Sequence, residues 1–478
     1  MCGVLGIVSL DGSDVFGSLV SGLFQMQHRG QDACGIAVAD GRQLRLHRGL
    51  GYVRQVFADR PAAEFQGPLG CGHVRYPTQG TNRLSNAQPH VVTMASGQEL
   101  AVCSNGDLTN YWTVRGQLQE EGVDFLGTND AELLARYVAY RMDVAGRSSV
   151  EALRELQAQV RGAYSAVLLL EGRLIAVRDP YGIRPLVLGA DGNRHVVASE
   201  TTALDILRID LAGEVEPGEI VIFGAGGPVR LPHPNLLEAR HGRSSPAHCV
   251  FEHIYFSRPD SITYGQRVYD VRKRIGQWLA EHDTVRPDVV VPVPDSSNAV
   301  ALGYAQASGV PLEFALVRNH YIGRTFISLD QPLRDDGVKM KFNPVQSALR
   351  GKSVVLVDDS IVRGTTSRKL VRMVRSAGAA EVHLRVGSPV TRFSCYYGID
   401  TPDAGQLIGN QLSVDEICAH LTADSLLYMT VAGLHDAVRA DSGYCMACFD
   451  GDYPVPLTEL KEARDAVAWV PEAAEAAV

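Results

Sequence analysis

The stretch that decides the fold of the carboxyl-terminal half is Val354-Val-Leu-Val-Asp-Asp-Ser-Ile-Val-Arg-Gly-Thr-Thr-Ser367. Its first four residues form the continuous apolar run that is typical of a strand buried on both faces of a parallel sheet. Two acids end the strand, the chain turns through Gly364, and apolar residues at helical spacing predict a helix from about Thr366 to Ala377. Because ligands bind where such strands end and helices begin, the turn predicts a site for a phosphate and for ribose hydroxyls or Mg²⁺.

The same alternation of strands and helices continues on both sides of this stretch. An amphipathic helix is predicted near residues 267–282, and another helix after Ser297. Buried strands are predicted at Asp288–Val293, Ser353–Val357 and Glu381–Gly387. Val-rich strands that alternate with helices predict a doubly wound α/β domain with a parallel sheet.

The amino-terminal half has strands in clusters instead. Short apolar strands are predicted at Gly35–Ala39, Glu99–Cys103, Ala163–Leu170 and Arg173–Val177. Helices are predicted at Asn129–Tyr140 and Ser149–Val160, the second with Ser149 as its N-cap. This pattern predicts an α+β domain. A change to Gly, Pro and polar residues between 223 and 246 predicts the boundary, so we expect domains at residues 2–235 and 249–478.

Length and charge exclude several classes of protein. The chain has 478 residues, enough for two or three domains of roughly 150 residues. With 45 Lys and Arg against 54 Asp and Glu, its net charge of −9 argues against a nucleic-acid-binding surface. No apolar run approaches the ~18 residues of a membrane span, and the amino terminus lacks the charged region of a secretory signal. We therefore expect a cytoplasmic protein.

The stretch at 354–367 closely resembles the signature of type I phosphoribosyltransferases, which bind 5-phosphoribosyl 1-diphosphate (PRPP). Adjacent acids alone would be more simply a solvated turn, and a Walker loop is excluded because no Gly-Lys-Ser/Thr is present. The resemblance implies that Asp358 and Asp359 face the ribose and Mg²⁺. It assigns the 5-phosphate to the loop residues Arg363, Gly364, Thr365 and Thr366.

Two further segments extend this resemblance. The strand end at Pro292–Ser297 would contact the diphosphate and the metal, with Ser296 at the metal-ligand position. Residues 318–327 look like a mobile loop that closes over the substrate, and they include Tyr321 and Arg324. Taken alone, this loop could equally be an ordinary basic surface loop.

Cys2 is a candidate nucleophile. If Met1 is removed, Cys2 carries both a thiol and a free α-amine, whose pKa near ~7.7 to 8 leaves a substantial share neutral at physiological pH. The amine could then accept the thiol proton, so one residue would supply nucleophile and base. Taken alone, a cysteine at the second position is more simply incidental, and the interpretation depends on other residues.

Other segments carry the groups that hydrolysis of a glutamine side-chain amide requires. A strand precedes Arg75, another strand ends at Ser104–Asp107, and a helix begins near Thr128–Glu132. The reaction needs a cation for the α-carboxylate, an anion for the α-amine, and donors for the oxyanion. With His28–Ala33, their order resembles the glutaminase domain of class II, N-terminal-nucleophile amidotransferases, which has αββα layers.

That resemblance implies a role for each group. The implied roles are attack on the amide by Cys2, oxyanion binding by Asn105 and the Gly106 N–H, carboxylate binding by Arg75, and amine binding by Asp130. Asp107 stands where the family commonly has Asn. We expect little effect from this difference, because the implied donors precede it.

The nine cysteines are an odd number without an export signal, which disfavours a disulfide framework. Cys445-Met-Ala-Cys448 is a CxxC pair, which structural, zinc and redox sites all share. The segments around Cys249, Cys395 and this pair resemble the iron-sulfur branch of the amidophosphoribosyltransferases. The resemblance implies a structural [4Fe-4S] cluster on Cys249, Cys395, Cys445 and Cys448, although four sulfurs could also hold Zn²⁺. The core cysteines are predicted to be Cys34, Cys71, Cys103 and Cys418.

The resemblance covers almost the whole chain, from Cys2 to about Tyr453. It implies an enzyme that makes 5-phosphoribosylamine, glutamate and diphosphate from glutamine, PRPP and water, the first step of purine synthesis. It also implies a homotetramer or homodimer that purine nucleotides inhibit. Two alternatives are a glutaminase with another acceptor, against which the 358–366 loop argues, and a PRPP-binding regulator without turnover, against which Cys2 argues.

Overall fold

The computed structural model describes residues 1–60, 62–77, 82–224, 226–234, 246–320, 341–440 and 443–457. They form two compact units. Unit 1 contains the described residues of 1–248 and 395–400 and those from Tyr453 onward, and unit 2 contains those of 249–394 and 401–452. Two short stretches of the carboxyl-terminal half thus belong to unit 1. The domain limits 2–235 and 249–478 stay a prediction.

Unit 1 is built on two antiparallel sheets. Its strands are β1 (Gly3–Ser9), β2 (Ala33–Ala39), β3 (Leu44–Leu50), β4 (Leu69–Arg75), β5 (His90–Thr93), β6 (Glu99–Asn105), β7 (Ser165–Leu170), β8 (Arg173–Arg178), β9 (Val187–Ala190), β10 (Arg194–Ala198), β11 (Asp210–Glu214), β12 (Ile220–Gly224) and β13 (Gly227–Leu231). One sheet has the order β11-β9-β10-β1-β4-β2-β3 and the other has the order β13-β12-β8-β7-β6-β5. Neighbouring strands in both sheets are antiparallel.

Helices cover the outer face of each sheet. They are α1 (Phe16–Gln25), α2 (Val53–Val56), α3 (Tyr111–Glu120), α4 (Asp130–Asp143), α5 (Ser149–Gln159) and α6 (Thr201–Leu207). Side chains alternate along each strand between the two faces of its sheet. On β6, Ala101 and Cys103 enter the core between the sheets, whereas Leu100 and Val102 pack with α3, α4 and α5. The layers are therefore αββα, and the α+β prediction is confirmed.

Unit 2 is built on a parallel sheet. The carboxyl-terminal strands are β14 (His248–Cys249), β15 (Ile262–Thr263), β16 (Gln266–Arg267), β17 (Val289–Pro292), β18 (Leu316–Arg318), β19 (Phe342–Pro344), β20 (Ser353–Asp358), β21 (Glu381–Val386), β22 (Ser425–Tyr428) and β23 (Tyr444–Cys445). The helices are α7 (Val268–Glu281), α8 (Asn298–Ser308), α9 (Gln346–Leu349), α10 (Thr365–Ser376), α11 (Ile408–Gln411), α12 (Val414–Leu421), α13 (Val431–Val438) and α14 (Ala447–Asp450). The main sheet has the order β17-β20-β21-β22, with every pair parallel.

Both faces of the parallel sheet are covered. Val354 and Leu356 share a core with α10 and α12, while Val355 on the other face is also fully buried. Helix α8 packs on β17 and on α7, where Gly276 lets the two helices touch. A Cβ at Gly276 would stand 1.8 Å from the Val300 carbonyl oxygen. The prediction of a doubly wound α/β domain is confirmed.

The N-cap of α5 was predicted one residue too late. Ser148, not Ser149, is the N-cap: its side chain accepts the Glu151 N–H at 3.3 Å, and the Glu151 carboxylate accepts the Ser148 N–H at 2.9 Å. This is a capping box, which requires Glu three residues after the cap. Ser148 satisfies that spacing and Ser149 does not.

We expect Ser148→Ala to lower the free energy of unfolding by about 1 kcal/mol, because the Glu151 N–H loses its side-chain partner. Ser148→Asn keeps a capping oxygen and should retain most of that stability. Urea unfolding of both variants checks the prediction. Equal stability of Ser148→Ala and the unaltered chain would contradict it.

Cys34, Cys71 and Cys103 are fully buried, as predicted for core cysteines. Cys418 is only half-buried on α12, so its assignment to the core was wrong. Its Sγ lies 3.4 Å from the Ala423 carbonyl oxygen, just after the end of that helix.

Among the described helices, none combines the length and the apolar character that crossing a membrane requires.

Candidate functional site

A small cavity in unit 1 brings together four of the predicted glutaminase residues. Cys2, Arg75, Gly106 and Asp130 all line it. Three of them are positioned by strands, since β1 begins just after Cys2, β4 ends at Arg75, and β6 ends just before Gly106. Strands β1 and β4 pair directly, with Gly3 opposite Val74. The ends of neighbouring strands therefore bring residues that are distant in sequence to one cavity.

Asn105 lies beside Cys2. The Cys2 backbone N–H donates to Asn105 Oδ1 at 3.2 Å, and the Cys2 thiol donates to the Tyr76 carbonyl oxygen at 3.5 Å. Asn105 is fully buried, and its Nδ2 has no hydrogen-bond partner within the described part of the chain. A buried donor without a partner is costly, so this amide is suited to an oxygen that arrives with a ligand.

Asp130 is the first residue of α4, directly after its N-cap Asn129. Its Oδ2 accepts the Leu108 N–H at 2.8 Å, which ties the helix to the loop after β6. Asn129 Oδ1 accepts the Ala131 N–H at 2.9 Å and holds the helix start in place. The Asp130 carboxylate is therefore held at a fixed position in the cavity wall.

Burial controls the charges around this cavity. It lowers the pKa of the Met1 amine to about 6, because charging a buried amine is costly. Burial also lowers the pKa of Arg75, an effect that Cys2, Asp32 and Asp107 oppose. His73 on β4 is kept neutral, since burial lowers its pKa to about 3. Met1 is itself only 3% exposed.

Several residues at the site were not predicted from the sequence. Arg29 Nε donates to the Cys2 carbonyl oxygen at 3.0 Å, and the Arg29 guanidinium pairs with the fully buried Glu200. Gln88 lines the cavity and accepts the Ser104 N–H at 2.7 Å. The motif at residues 28–33 contained Arg29, but no local pattern indicated Glu200, because it lies 171 residues further along the chain. Asp107 also lines the cavity.

The predicted acid pair lies at the carboxyl end of β20 in unit 2. Asp358 and Asp359 are 7% and 8% exposed. Ser296 donates to Asp359 Oδ2 at 2.5 Å, and Ser360 donates to Asp359 Oδ1 at 2.6 Å. The structure thus brings Ser296 to the acid pair from the loop after β17, as the resemblance implies for a metal site.

Burial and the neighbouring charge of Asp359 raise the pKa of Asp358 to about 8, against the opposing effects of hydrogen bonds from the Asp359 N–H and Ser367 and of the Lys341 charge. Burial likewise raises the pKa of Asp359, against the hydrogen bonds from Ser296 and Ser360. Two adjacent buried carboxylates resist ionisation because like charges repel and desolvation is costly. A bound divalent cation would remove that penalty, so the donor set fits Mg²⁺.

The turn after the acid pair has the geometry of an anion site. Gly364 is the N-cap of α10 and has φ +75°, a conformation that favours glycine. Thr365 and Thr366 are exposed in the first turn of α10, and Arg363 is exposed beside them. All three residues lie at the start of the helix, where backbone N–H groups without a partner in the helix favour an anion. Tyr321 and Arg324, which we predicted in the closing loop, lie outside the described residues.

Backbone hydrogen bonds join segments that carry the predicted cluster ligands. In unit 2 the Val250 N–H donates to the Cys445 carbonyl oxygen at 3.4 Å, next to Cys249. The Arg392 and Phe393 N–H groups donate to the Cys448 carbonyl oxygen at 3.0 and 3.1 Å. Cys395 belongs to unit 1. In the described residues no three His, Cys, Asp or Glu side chains are grouped closely enough to hold a metal.

Comparison with known proteins gives a family for each half of the chain. Residues 78–206 match the family of the glutamine amidotransferase domain, and residues 260–388 match that of the phosphoribosyl transferase domain. The amidophosphoribosyltransferase of Methanothermobacter thermautotrophicus is 41% identical over 95% of this chain and 95% of its own length. The chloroplastic amidophosphoribosyltransferase 1 of Arabidopsis thaliana is 44% identical over 97% of this chain and 80% of its own length.

Solved structures extend the similarity to the fold of the whole chain. The glutamine PRPP amidotransferase of B. subtilis, solved with ADP and GMP, is 39% identical with a TM-score of 0.87, covering 95% of this chain and 98% of that chain. A structure described as the allosteric regulatory enzyme of purine biosynthesis is 38% identical with a TM-score of 0.90, covering 99% and 100%. With relatives this similar along nearly their full length, the chain belongs to the amidophosphoribosyltransferase family.

Proposed function

We propose that this chain converts glutamine, PRPP and water into 5-phosphoribosylamine, glutamate and diphosphate, the first step of purine synthesis. The observation that carries the proposal is that one chain contains both reaction centres. Unit 1 holds a cavity lined by Cys2, Arg75 and Asp130, and unit 2 holds the buried acids Asp358 and Asp359 at the end of a parallel strand. Relatives that share nearly the full length carry the name of this activity.

In the glutaminase half-reaction, Arg75 binds the α-carboxylate of glutamine and Asp130 binds its α-amine. After removal of Met1, the α-amine of Cys2 takes the thiol proton and the sulfur attacks the carboxamide carbon. The Asn105 Nδ2 and the Gly106 N–H stabilise the oxyanion. Collapse of the tetrahedral intermediate releases ammonia and leaves a γ-glutamyl thioester on Cys2, which water hydrolyses to glutamate.

Burial of the amino terminus favours the neutral amine that this step needs as its base. Burial lowers the pKa of the Met1 amine to about 6, and the Cys2 nitrogen, one residue further along, is also buried and donates to Asn105 Oδ1. A free amine at Cys2 would lie in similarly buried surroundings, which favour its neutral form. Intact mass measurement of the amino terminus tests whether Met1 is removed.

In the transferase half-reaction, Arg363, Gly364, Thr365 and Thr366 bind the 5-phosphate at the start of α10. Asp358, Asp359 and Ser296 would hold Mg²⁺, with Asp358 and Asp359 also facing the ribose hydroxyls. The cation, when bound, neutralises negative charge on the departing diphosphate. Ammonia forms the new bond to C1 as the bond to diphosphate breaks.

Ammonia should reach C1 inside the protein, because ammonia released into water is protonated and ceases to be a nucleophile. The proposal rests on the presence of both half-reactions in one chain. It can be tested with excess glutamate dehydrogenase, 2-oxoglutarate and NADPH, which together consume ammonia in solution. Undiminished 5-phosphoribosylamine formation from glutamine supports internal transfer, and its loss contradicts it.

We also propose that Cys249, Cys395, Cys445 and Cys448 hold a [4Fe-4S] cluster with a structural role. The set of four thiols suits this cluster, and none of the nine cysteines forms a disulfide within the described residues, which include all of them. Backbone hydrogen bonds join Val250, next to Cys249, to Cys445, and join residues 392–393 to Cys448.

We expect protein purified without oxygen to be brown and to contain about four iron and four sulfide ions per chain. Cys445→Ser should lose iron and the visible absorbance, whereas Cys418→Ser on α12 should keep both. The measurements are iron and sulfide analysis with absorption spectra. One Zn²⁺ per chain and no iron would contradict the cluster and favour a zinc site.

The remaining proposals concern regulation and assembly. The B. subtilis relative was solved with ADP and GMP, which supports inhibition of this chain by purine nucleotides. A homotetramer, or alternatively a homodimer, is proposed from the family resemblance. The cytoplasmic location stays a prediction, and several plant relatives are named as chloroplastic.

The proposed function is tested by incubating the purified chain with glutamine, PRPP and Mg²⁺. Glutamate and diphosphate should form in equal amounts, and glutamate formation should fall sharply when PRPP is left out. Glutamine hydrolysis that is indifferent to PRPP, with no diphosphate released, would contradict the proposal and favour a different acceptor.

A further inference from the structure

A turn from the carboxyl-terminal half of the sequence packs against the residue assigned to the oxyanion. Residues 395–400 belong to unit 1. A Cβ built on Gly398 would stand 3.1 Å from Gly106 Cα and 3.2 Å from the Gly106 carbonyl carbon. The two backbones therefore touch, and only a residue without a side chain fits between them at position 398 without displacement.

Gly106 is also confined by a second segment of the chain. It has φ +143°, and a Cβ on it would stand 2.0 Å from the Ala163 carbonyl oxygen. Asn105, the preceding residue, is paired with Ser165 across β6 and β7. Gly106 thus lies against both the 163–164 backbone and Gly398.

The turn that contains Tyr397 and Gly398 is held by buried hydrogen bonds. Fully buried Arg184 donates from Nε and Nη2 to the Tyr397 carbonyl oxygen at 2.8 and 2.6 Å. The Tyr397 hydroxyl donates to the Val455 carbonyl oxygen at 2.7 Å and accepts the Val455 N–H at 3.1 Å. Charge-assisted and buried hydrogen bonds of this kind fix a backbone strongly.

We propose that the Tyr397–Gly398 turn is a positioning element of the glutaminase site, which holds the Gly106 N–H in the direction that stabilises the oxyanion. This inference rests on the proposed role of Gly106. Tyr397 and Gly398 touch neither glutamine nor the reacting atoms. They act through Gly106, since a donor must already point at the developing charge to stabilise it.

The test compares two glycine variants that differ in what the new methyl group meets. Gly398→Ala introduces a methyl against Gly106, where the glycine has φ +104°. Gly97→Ala is the matched control, since Gly97 has φ +83° and nothing lies within 4 Å of its Cβ position. Both substitutions strain a turn in unit 1, but only the first pushes on the oxyanion residue.

We expect Gly398→Ala to lower glutamine-dependent kcat about 10- to 100-fold with little change in the KM for glutamine, because Arg75 and Asp130 are untouched. Ammonia-dependent synthesis should stay unchanged. Affinity for a glutamine analogue with a γ-aldehyde, which forms a tetrahedral adduct with Cys2, should fall by a similar factor. Affinity for glutamate, which forms no such adduct, should not fall.

A merely structural role would weaken both ligands or neither, so either result overturns the proposal, as does an equal effect in Gly97→Ala. If Gly398→Ala does not fold, Tyr397→Phe serves as the second variant, because it removes only the hydrogen bonds to Val455. It should weaken binding of the aldehyde by a smaller factor and leave binding of glutamate unchanged. Unchanged aldehyde affinity in that variant would also overturn it. Failure of the proposed function itself would be distinguishable, because the unaltered chain would then neither hydrolyse glutamine nor bind the aldehyde.

Discussion

Cys2→Ala should abolish glutamine-dependent formation of 5-phosphoribosylamine and leave formation from ammonium salts nearly unchanged. The reason is that the thiol is needed only to break the carboxamide bond, whereas PRPP is bound by residues of unit 2. Loss of a nucleophile that acts together with its base lowers kcat by more than about 10³-fold. Two assays of diphosphate release, one with glutamine and one with ammonium chloride at alkaline pH, measure both activities.

A matched control separates loss of the nucleophile from loss of a thiol. Cys418→Ala removes a half-buried sulfur from α12, in unit 2, and should change neither assay. Parallel loss of both activities in Cys2→Ala would mean that Cys2 supports the fold and is not the nucleophile. Retained glutamine-dependent activity would transfer the role to another group in the cavity.

The pH dependence of the glutamine reaction should follow the buried amine. If Met1 is removed, the rate limited by thioester formation should rise with pH as the Cys2 amine loses its proton, and it should do so below the ordinary amine range near ~8. In the structure the same burial lowers the pKa of the Met1 amine to about 6. The ammonia-dependent reaction of Cys2→Ala keeps an α-amine but does not use it, so it should not show that rise; its rate should instead follow the conversion of ammonium to ammonia at higher pH.

Periodic patterns in the sequence predicted individual strands and helices. The strand expected at Ser353–Val357 is β20, Ser353–Asp358, and the helix expected at 366–377 is α10, Thr365–Ser376. Both depend on apolar residues at a fixed period, which the sequence displays directly. The N-cap of α5 was missed although its signal, Ser148 followed by Glu151, was present in the sequence.

Contacts between distant parts of the chain could not be predicted in this way. Glu200 pairs with the Arg29 guanidinium, which donates to the Cys2 carbonyl oxygen. No pattern in the sequence around Glu200 indicates that it is part of a site. Gly398 lies between two cysteines assigned to a cluster, but its contact is with Gly106. Such contacts are created by the meeting of separate segments, and a single sequence does not contain a periodic signal for them.

Asp358→Asn should lower kcat/KM for PRPP by about 10²-fold or more, because the variant loses a carboxylate that would bind the metal and the ribose. The substitution should also remove a pH effect on stability. Burial raises the pKa of Asp358 to about 8, so the folded chain keeps a proton that the unfolded chain releases near pH ~4. Stability that is fully present below about pH 4 is therefore lost as the pH rises towards 8.

Denaturation in the absence of Mg²⁺ should show that loss between about pH 4 and pH 8 in the unaltered chain and a shallower loss in Asp358→Asn. Added Mg²⁺ should stabilise the unaltered chain more at pH 8 than at pH 6, because binding requires the ionised carboxylate, and it should do little for the variant. Asp403→Asn, at an exposed position of unit 2, is the control and should behave as the unaltered chain does. Full PRPP turnover in Asp358→Asn, or an unaltered response to Mg²⁺, would remove Asp358 from the metal site and leave Asp359 with Ser296 as the remaining donors.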